Sequence, residues 1–80
     1  MDDATYRLDT SGLLCPLPVR LAARRAADLP VGSRLEVTGD DPAMALDFRV
    51  WCERAGHRLL ELEERAGRVR CLLELGTAGP

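Results

Sequence analysis

The chain has 80 residues, of which 46% are hydrophobic and 30% are charged, and its net charge is −2. This length suits one small domain, and the apolar content is sufficient for a packed core, which excludes a disordered chain. All eleven basic residues are arginine, which excludes chemistry that needs a lysine nucleophile or a pyridoxal-binding lysine. The small net charge gives no general attraction to nucleic acid, so we expect no direct nucleic-acid partner.

The three cysteines are Cys15, Cys52 and Cys71. Their odd number and the absence of a Cys-x-x-Cys pair argue against a disulfide framework and a zinc site. The longest uncharged run, 10–19, is too short to cross a bilayer, and the acidic start of the chain is unlike a targeting peptide. We therefore expect a cytoplasmic protein with reduced thiols, no membrane partner, no metal and no cofactor.

The first predicted elements are a strand and a helix. Tyr6 and Leu8 alternate with polar residues over 5–9, which is typical of a half-buried strand. From Pro16 the apolar period becomes helical, and Pro30 and Gly32 end this helix. The apolar stripe of the helix consists of Val19, Ala22, Ala23, Ala26 and Leu29.

A second strand and a second helix follow. Residues 34–38 place Leu35 and Val37 inward, and the next helix is expected to open at Pro42 with Asp41 as its cap. Gly56 should end this helix. Its apolar stripe consists of Met44, Phe48, Trp51, Cys52 and Ala55, and we expect this stripe to pack on the sheet.

The last predicted unit is a hairpin made of residues 57–63 and 68–75. The alternation places Leu60 and Leu62 on the core side of this hairpin. Leu59 would then join Leu72 in a modest apolar patch on the other side of the sheet. The same patterns place Cys52 of the second helix and Cys71 of the last strand in the core. They place His57, at the start of the hairpin, on the surface.

The order β-α-β-α-β-β predicts an α+β fold. Right-handed crossovers place both helices on one face of a four-stranded mixed sheet, which makes a two-layer sandwich. A single domain would span 1–80, with a loose tail at 76–80. The open sheet face would carry the charged residues Arg7, Glu36, Glu61 and Arg70.

Cys15 is the candidate reactive residue because it stands where a loop meets the first helix. Pro16 suits the first helical position, which would make Cys15 the N-cap, and Pro18 still falls in the first turn. The positive end of the helix dipole would then lower the thiol pKa below its usual value of about 8.5. The supporting residues are Gly12 in the loop, Pro16 and Pro18, and Leu17 and Val19, whose N–H groups would be the nearest donors to a thiolate.

Charged residues near Cys15 leave two interpretations open. Arg20, Arg24 and Arg25 either dock an acidic partner or form a solvated helix face with an Arg24–Asp28 pair. The acidic residues Asp40, Asp41 and Asp47 do not indicate a metal site, since the cap role explains Asp41.

One long pattern of residues runs in a fixed order from Tyr6 to Leu75 and includes several of those named above. It comprises Asp9, Gly12, Cys15, Pro16 and Pro18, the strand start at 31–37, then Asp41, Pro42, Ala43, Asp47, Trp51, Cys52, Gly56 and His57. In this pattern the chain resembles the TusA-type, or SirA-like, family of sulfur carriers. The resemblance implies the sandwich fold and a persulfide carried on Cys15.

The resemblance also implies partners. A cysteine desulfurase or a rhodanese-like protein would donate sulfane sulfur to Cys15, and an acceptor protein would receive it. Members of such a family deliver the carried sulfur to transfer RNA thiolation, to sulfur oxidation or to molybdenum-cofactor enzymes. The alternative hypothesis is a regulatory or interaction module of the same fold that transfers no sulfur.

Overall fold

A computed structural model describes residues 5–76 of the protein. The elements follow the predicted order: β1 (Thr5–Asp9), α1 (Leu17–Ala27), β2 (Arg34–Gly39), α2 (Met44–Ala55), β3 (Arg58–Arg65) and β4 (Arg68–Glu74). Of the predicted loose tail, residues 77–80 lie outside the described range. Gly76 lies inside it, and its N–H donates a hydrogen bond to Nδ1 of His57 at 3.0 Å.

The four strands form one mixed sheet in the order β1-β2-β4-β3. β1 runs parallel to β2, as a strand joined through a crossover helix does, and the other two pairings are antiparallel. Both helices contribute buried side chains to the same core, and α1 contacts α2. The predicted α+β sandwich is therefore confirmed.

The core lies between the helical layer and the inward side chains of β2 and β4. Register pairs Leu35 with Leu73 and Val37 with Cys71, so alternate residues of the two central strands point to the helices together. All four are fully buried, and they share one buried cluster with Phe48 of α2. The predicted inward stripes are confirmed at the buried residues Ala22, Met44, Phe48 and Cys52, with Val19, Ala26, Leu29 and Trp51 packed around them.

A β-bulge in β3 overturns the predicted facing of the hairpin leucines. The register with β4 shifts between Leu59 and Glu61, so Leu60 is an extra residue that has no partner. Leu59 and Leu62 consequently pack against the core, whereas Leu60 is exposed. The predictions that Leu60 faces inward and that Leu59 forms an outer patch with Leu72 are therefore wrong.

Ion pairs occupy the open face of the sheet. Arg70 Nε lies 2.6 Å from a Glu36 oxygen, and Arg70 Nη1 lies 2.9 Å from Glu61. Arg7 Nε pairs with the other Glu36 oxygen at 3.2 Å. Charged side chains on four adjacent strands therefore pair across this face, and they are the four residues that the sequence placed there.

The start of α2 differs from its prediction, while its end agrees. The helix begins at Met44, not at Pro42, and Asp41 precedes it as a buried turn residue. A carboxylate oxygen of Asp41 accepts the Ala43 N–H at 3.0 Å, and its carbonyl accepts the Met44 N–H at 3.0 Å. These two bonds close a tight turn before the helix. Gly56 ends α2 in the left-handed conformation, as predicted.

His57 is half-buried, not a free surface residue as predicted. Its ring lies 4.8 Å from the Trp51 ring, and its Nδ1 accepts the Gly76 N–H. This position raises the cost of charging the imidazole, so burial lowers the pKa of His57. The histidine joins the end of α2 to the segment after β4.

Candidate functional site

Cys15 is exposed in the turn that leads into α1. The N-cap of α1 is Pro16, and the first helical residue is Leu17, so Cys15 lies one position farther from the helix than predicted. The N–H of Leu17 donates to the Leu14 carbonyl at 2.8 Å and is therefore engaged within the turn. The Cys15–Pro16 peptide bond is cis.

The loop before Cys15 is tied to β2 and to the turn that follows it. Gly12, at φ +83°, donates its N–H to the two carboxylate oxygens of Asp40 at 3.1 and 3.3 Å. The buried hydroxyl of Thr10 donates to the Thr38 carbonyl at 2.8 Å. Two long-range attachments therefore hold the loop that presents the thiol.

Gly39 allows α2 and the Cys15 loop to approach each other. A Cβ atom at this position would lie 2.5 Å from Thr10 Oγ1 and 2.7 Å from Met44 Sδ. Both distances are shorter than van der Waals contact, so only glycine fits between the two neighbours without displacement. The residue that closes β2 thus sets the spacing of the two segments that frame the site.

Asp47, in the first turn of α2, is the acidic residue that acts most strongly on Cys15. As a hydrogen-bond acceptor for the thiol, the Asp47 carboxylate raises the pKa of Cys15. Partial desolvation and the negative charges of Asp47 and Asp41 raise this pKa further. The uncharged thiol is therefore the favoured form in the free protein.

The prediction that a helix dipole lowers the Cys15 pKa is wrong in direction. Cys15 lies outside α1, and the Leu17 amide, which was expected to face a thiolate, is bonded to Leu14. Anionic groups in α2 and in the turn before it, Asp47 and Asp41, act on the thiol instead. Nearby carboxylates decide the sign because the dipole effect declines beyond the first helical turn.

Burial separates the other two cysteines from Cys15. Desolvation raises the pKa of Cys52 to about 11 and that of Cys71 to about 12. Both side chains lie in the core, as predicted. Of the three thiols, Cys15 is the exposed one.

The remaining predicted site residues lie along α1 with different exposures. Pro18 is buried and Val19 packs against the core, so both anchor the start of the helix, whereas Leu17 remains 44% exposed. Arg20 and Arg24 are exposed, and Arg24 forms no ion pair with Asp28 in the described structure.

Arg25 has a partner that the sequence did not indicate. Its guanidinium carbon lies 5.5 Å from the centre of the Tyr6 ring, over the edge strand β1. This contact directs Arg25 toward the sheet edge, away from the side on which Arg20 and Arg24 stand. The three arginines predicted as one docking set are therefore divided between two faces.

Sequence reasoning missed the role of Asp47. The residue appeared in the acidic group and in the family pattern, but its spacing from Cys15 along the chain gave no indication of contact. Only the packing of α2 beside the start of α1 brings the two together. The available signal was the position of Asp47 near the start of the predicted second helix.

The described residues lack the features of two other classes of site. Residues 5–76 contain no cluster of three His, Cys, Asp or Glu side chains arranged to hold a metal ion. Within the same range, neither helix has the length and apolar content that a membrane span requires.

Comparison with known proteins identifies the family. The sequence profile described as Sulfurtransferase TusA matches residues 6–74. The chain belongs to the TusA family. The sulfur carrier protein TusA of Allochromatium vinosum is 34% identical over 74 residues, which cover 92% of this chain and 97% of that protein.

Other members of the TusA family differ in length. The sulfur carrier protein TusA of Pseudomonas paraeruginosa is 40% identical over 60 residues, 75% of this chain and 76% of that protein. The putative sulfur carrier protein YrkF of Bacillus subtilis is 34% identical over 95% of this chain, but the chain spans only 41% of YrkF.

A solved structure supports the TusA-family fold. The crystal structure of a SirA-like protein from Desulfitobacterium hafniense superposes with a TM-score of 0.77 at 25% identity. The superposition covers 90% of this chain and 99% of that one.

Proposed function

We propose that this protein is a sulfur carrier that holds sulfane sulfur as a persulfide on Cys15. Membership of the TusA family supports the sulfur-carrier role. The observation that carries the assignment to Cys15 is its exposure, while Cys52 and Cys71 are buried and weakly acidic. A carrier thiol must enter the active site of another protein, and an exposed thiol on an anchored loop can do so.

The proposed loading step is a thiol exchange. The Cys15 thiolate attacks the terminal sulfur of a donor persulfide, a new S–S bond forms on Cys15, and the donor cysteine leaves as a thiolate that takes up the proton Cys15 has lost. One sulfur atom moves and no external oxidant or reductant is consumed. Because only the thiolate attacks, the raised pKa of Cys15 slows this step in the free protein at neutral pH.

The neighbouring residues have structural tasks in this proposal. Gly12 and Pro16 shape the loop that presents the thiol, and Pro18 and Val19 anchor the start of α1 beneath it. Leu17 remains exposed beside Cys15. The predicted docking arginines, Arg20, Arg24 and Arg25, would meet acidic groups of a partner, Arg25 after leaving the Tyr6 ring.

We propose two classes of partner for a carrier of this kind, in the cytoplasm. A cysteine desulfurase or a rhodanese-like protein would supply the sulfur, and an acceptor protein would remove it. The acceptor would serve transfer RNA thiolation, sulfur oxidation or a molybdenum-cofactor enzyme. One domain spanning 1–80 would suffice, since docking and transfer require little beyond the loop and the helices.

Intact-mass spectrometry tests the proposal. Incubation with a cysteine desulfurase, L-cysteine and pyridoxal phosphate should add the mass of one sulfur atom to the wild-type protein. Cys52→Ala should gain the same mass, since this thiol is buried. Equal sulfur addition to Cys15→Ser would show that Cys15 is not the carrier residue.

A further inference from the structure

The segment that carries Cys15 is held by little apolar packing. It runs from Thr10 to Pro18, which are both buried. Of the residues between them, 11–17, only Leu13 is partly buried and the others are exposed. Burial therefore fixes the two ends of this segment, and the conformation of its middle depends on hydrogen bonds.

Two carboxylates bind consecutive residues near the start of this segment. Oδ1 of Asp9 accepts the Ser11 N–H at 2.9 Å and the Ser11 hydroxyl at 2.6 Å. The two carboxylate oxygens of Asp40 accept the Gly12 N–H at 3.1 and 3.3 Å. We call Asp9 and Asp40 the aspartate clamp. Hydrogen bonds to an ionised acceptor are roughly twice as strong as neutral ones, so the clamp can hold a segment that packing does not.

The sheet fixes the positions of the two clamp residues. Asp9 ends β1, and Asp40 follows the last residue of β2. These strands are parallel neighbours, and their register pairs Asp9 with Thr38, so both carboxylates stand at the same edge of the sheet. Arg68, the first residue of β4, donates to the Ser11 hydroxyl at 3.3 Å. Three adjacent strands therefore define where the segment begins.

The contacts of the clamp residues point toward the thiol segment. The exposed carboxylate of Asp40 forms no ion pair with any residue of 5–76. Its hydrogen bonds go to Gly12, which precedes Cys15 in the same segment. The hydrogen bonds from Ser11 lower the pKa of Asp9, which keeps this carboxylate ionised at neutral pH. Both carboxylates thus act as charged acceptors for the backbone before Cys15.

We propose that Asp9 and Asp40 are positioning residues for sulfur transfer, which hold Cys15 in the pose that a partner protein meets. This inference rests on the proposed function. A thiol that must enter another protein's active site benefits from a segment already held in one conformation, because the apparent affinity falls with the fraction of molecules in that conformation. A small sulfur donor reaches an exposed thiol in any pose, so it does not need the clamp.

Asp40→Ala tests the aspartate clamp. With a cysteine desulfurase and L-cysteine as the sulfur source, kcat/KM for loading should fall about tenfold, mainly through a higher KM, because the released Gly12 amide leaves the segment in several conformations. Asp9→Ala, which releases Ser11, should cause a loss in the same direction. Asp40→Asn should keep most of the wild-type value, since its amide oxygen still accepts the Gly12 N–H. Loading by inorganic polysulfide should be equal in the wild type and all three variants.

Glu53→Ala is the matched control, since Glu53 is an exposed carboxylate near the end of α2. It removes the same charge and should load as the wild type does. A loss in Glu53→Ala equal to that in Asp40→Ala, or equal losses in Asp40→Asn and Asp40→Ala, would assign the effect to charge and overturn the inference. Equal losses with desulfurase and polysulfide would overturn it too, because the substitution would then alter the thiol itself.

Urea denaturation separates positioning from a structural role. A lower free energy of unfolding in Asp40→Ala, with kcat/KM unchanged, would make Asp40 a structural residue only. If the wild type takes up sulfur on Cys15 from neither polysulfide nor desulfurase, the proposed function fails. If the wild type loads on Cys15 and every variant loads equally from both sources, only the positioning inference fails.

Discussion

The Asp47 carboxylate, in the first turn of α2, acts on the thiol of Cys15, which precedes α1, and raises its pKa. The protonated thiol is therefore the favoured form. A carrier of this design would resist reaction with small electrophiles while it is free.

Asp47→Asn should make Cys15 more reactive. The amide removes a negative charge, so the thiol pKa should fall and the thiolate fraction at a given pH should rise. The rate of alkylation by iodoacetamide, followed against pH, should therefore have its midpoint at lower pH than in the wild type. Asp28→Asn, at the distal end of α1, is the control and should leave the midpoint unchanged. An unchanged or higher midpoint in Asp47→Asn would contradict the assignment.

Cys15 should be the single thiol that reacts in the native protein. Cys52 and Cys71 are buried, and desolvation raises their pKa to about 11 and about 12. Brief alkylation without denaturant should add one label, and peptide mapping should locate it at Cys15. Alkylation in strong denaturant should add labels at all three cysteines. Rapid native labelling of Cys71 would show that the core opens more readily than its packing implies.

The core of the fold could be predicted from the sequence because its signals are local. Alternation over 34–38 identified Leu35 and Val37 as inward residues, and the helical period identified Phe48. Gly56, with its left-handed backbone, marked the end of α2. These signals depend on neighbouring residues alone, so they remain valid before any tertiary contact is known.

The details of the site could not be predicted in the same way, because they depend on contacts between distant segments. The position of Asp47 beside Cys15 follows from the packing of α2 against α1. The start of α1 was predicted one residue too early, which placed Cys15 in the helix dipole. The carboxylates of Asp47 and Asp41, which no local signal placed near Cys15, set the direction of its pKa shift together with desolvation.

Gly39→Ala should destabilise the protein and disturb the site. The new Cβ would lie 2.5 Å from Thr10 Oγ1, and this hydroxyl is held in place by its bond to the Thr38 carbonyl. Overpacking of this kind lowers the free energy of unfolding by about 1–3 kcal/mol, which urea denaturation can measure. In a double-mutant cycle with Thr10→Ala the two losses should be less than additive, since one clash is then removed. Full additivity would show that the clash is relieved elsewhere.

His57 should make stability depend on pH in mildly acidic solution. Burial lowers its pKa below the unfolded value of 6.5, and the protonated ring could no longer accept the Gly76 N–H. The unfolded chain therefore binds this proton at higher pH, so stability present above about pH 6.5 should be lost as the pH falls through the folded pKa. Urea denaturation between about pH 5 and about pH 7.5 measures the change. His57 is the only histidine, so His57→Gln should flatten the curve in this range.

The bulge in β3 predicts unequal effects of two adjacent leucines. Simple alternation placed Leu60 in the core and Leu59 outside, whereas the register shift exchanges them. Leu59→Ala should therefore lower the free energy of unfolding by about 1–3 kcal/mol, because it removes a side chain packed against the core. Leu60→Ala, at an exposed position without a partner strand residue, should change it by less than about 0.5 kcal/mol. Equal losses, or a larger loss for Leu60→Ala, would contradict the bulge and support the uninterrupted alternation that the sequence pattern predicts.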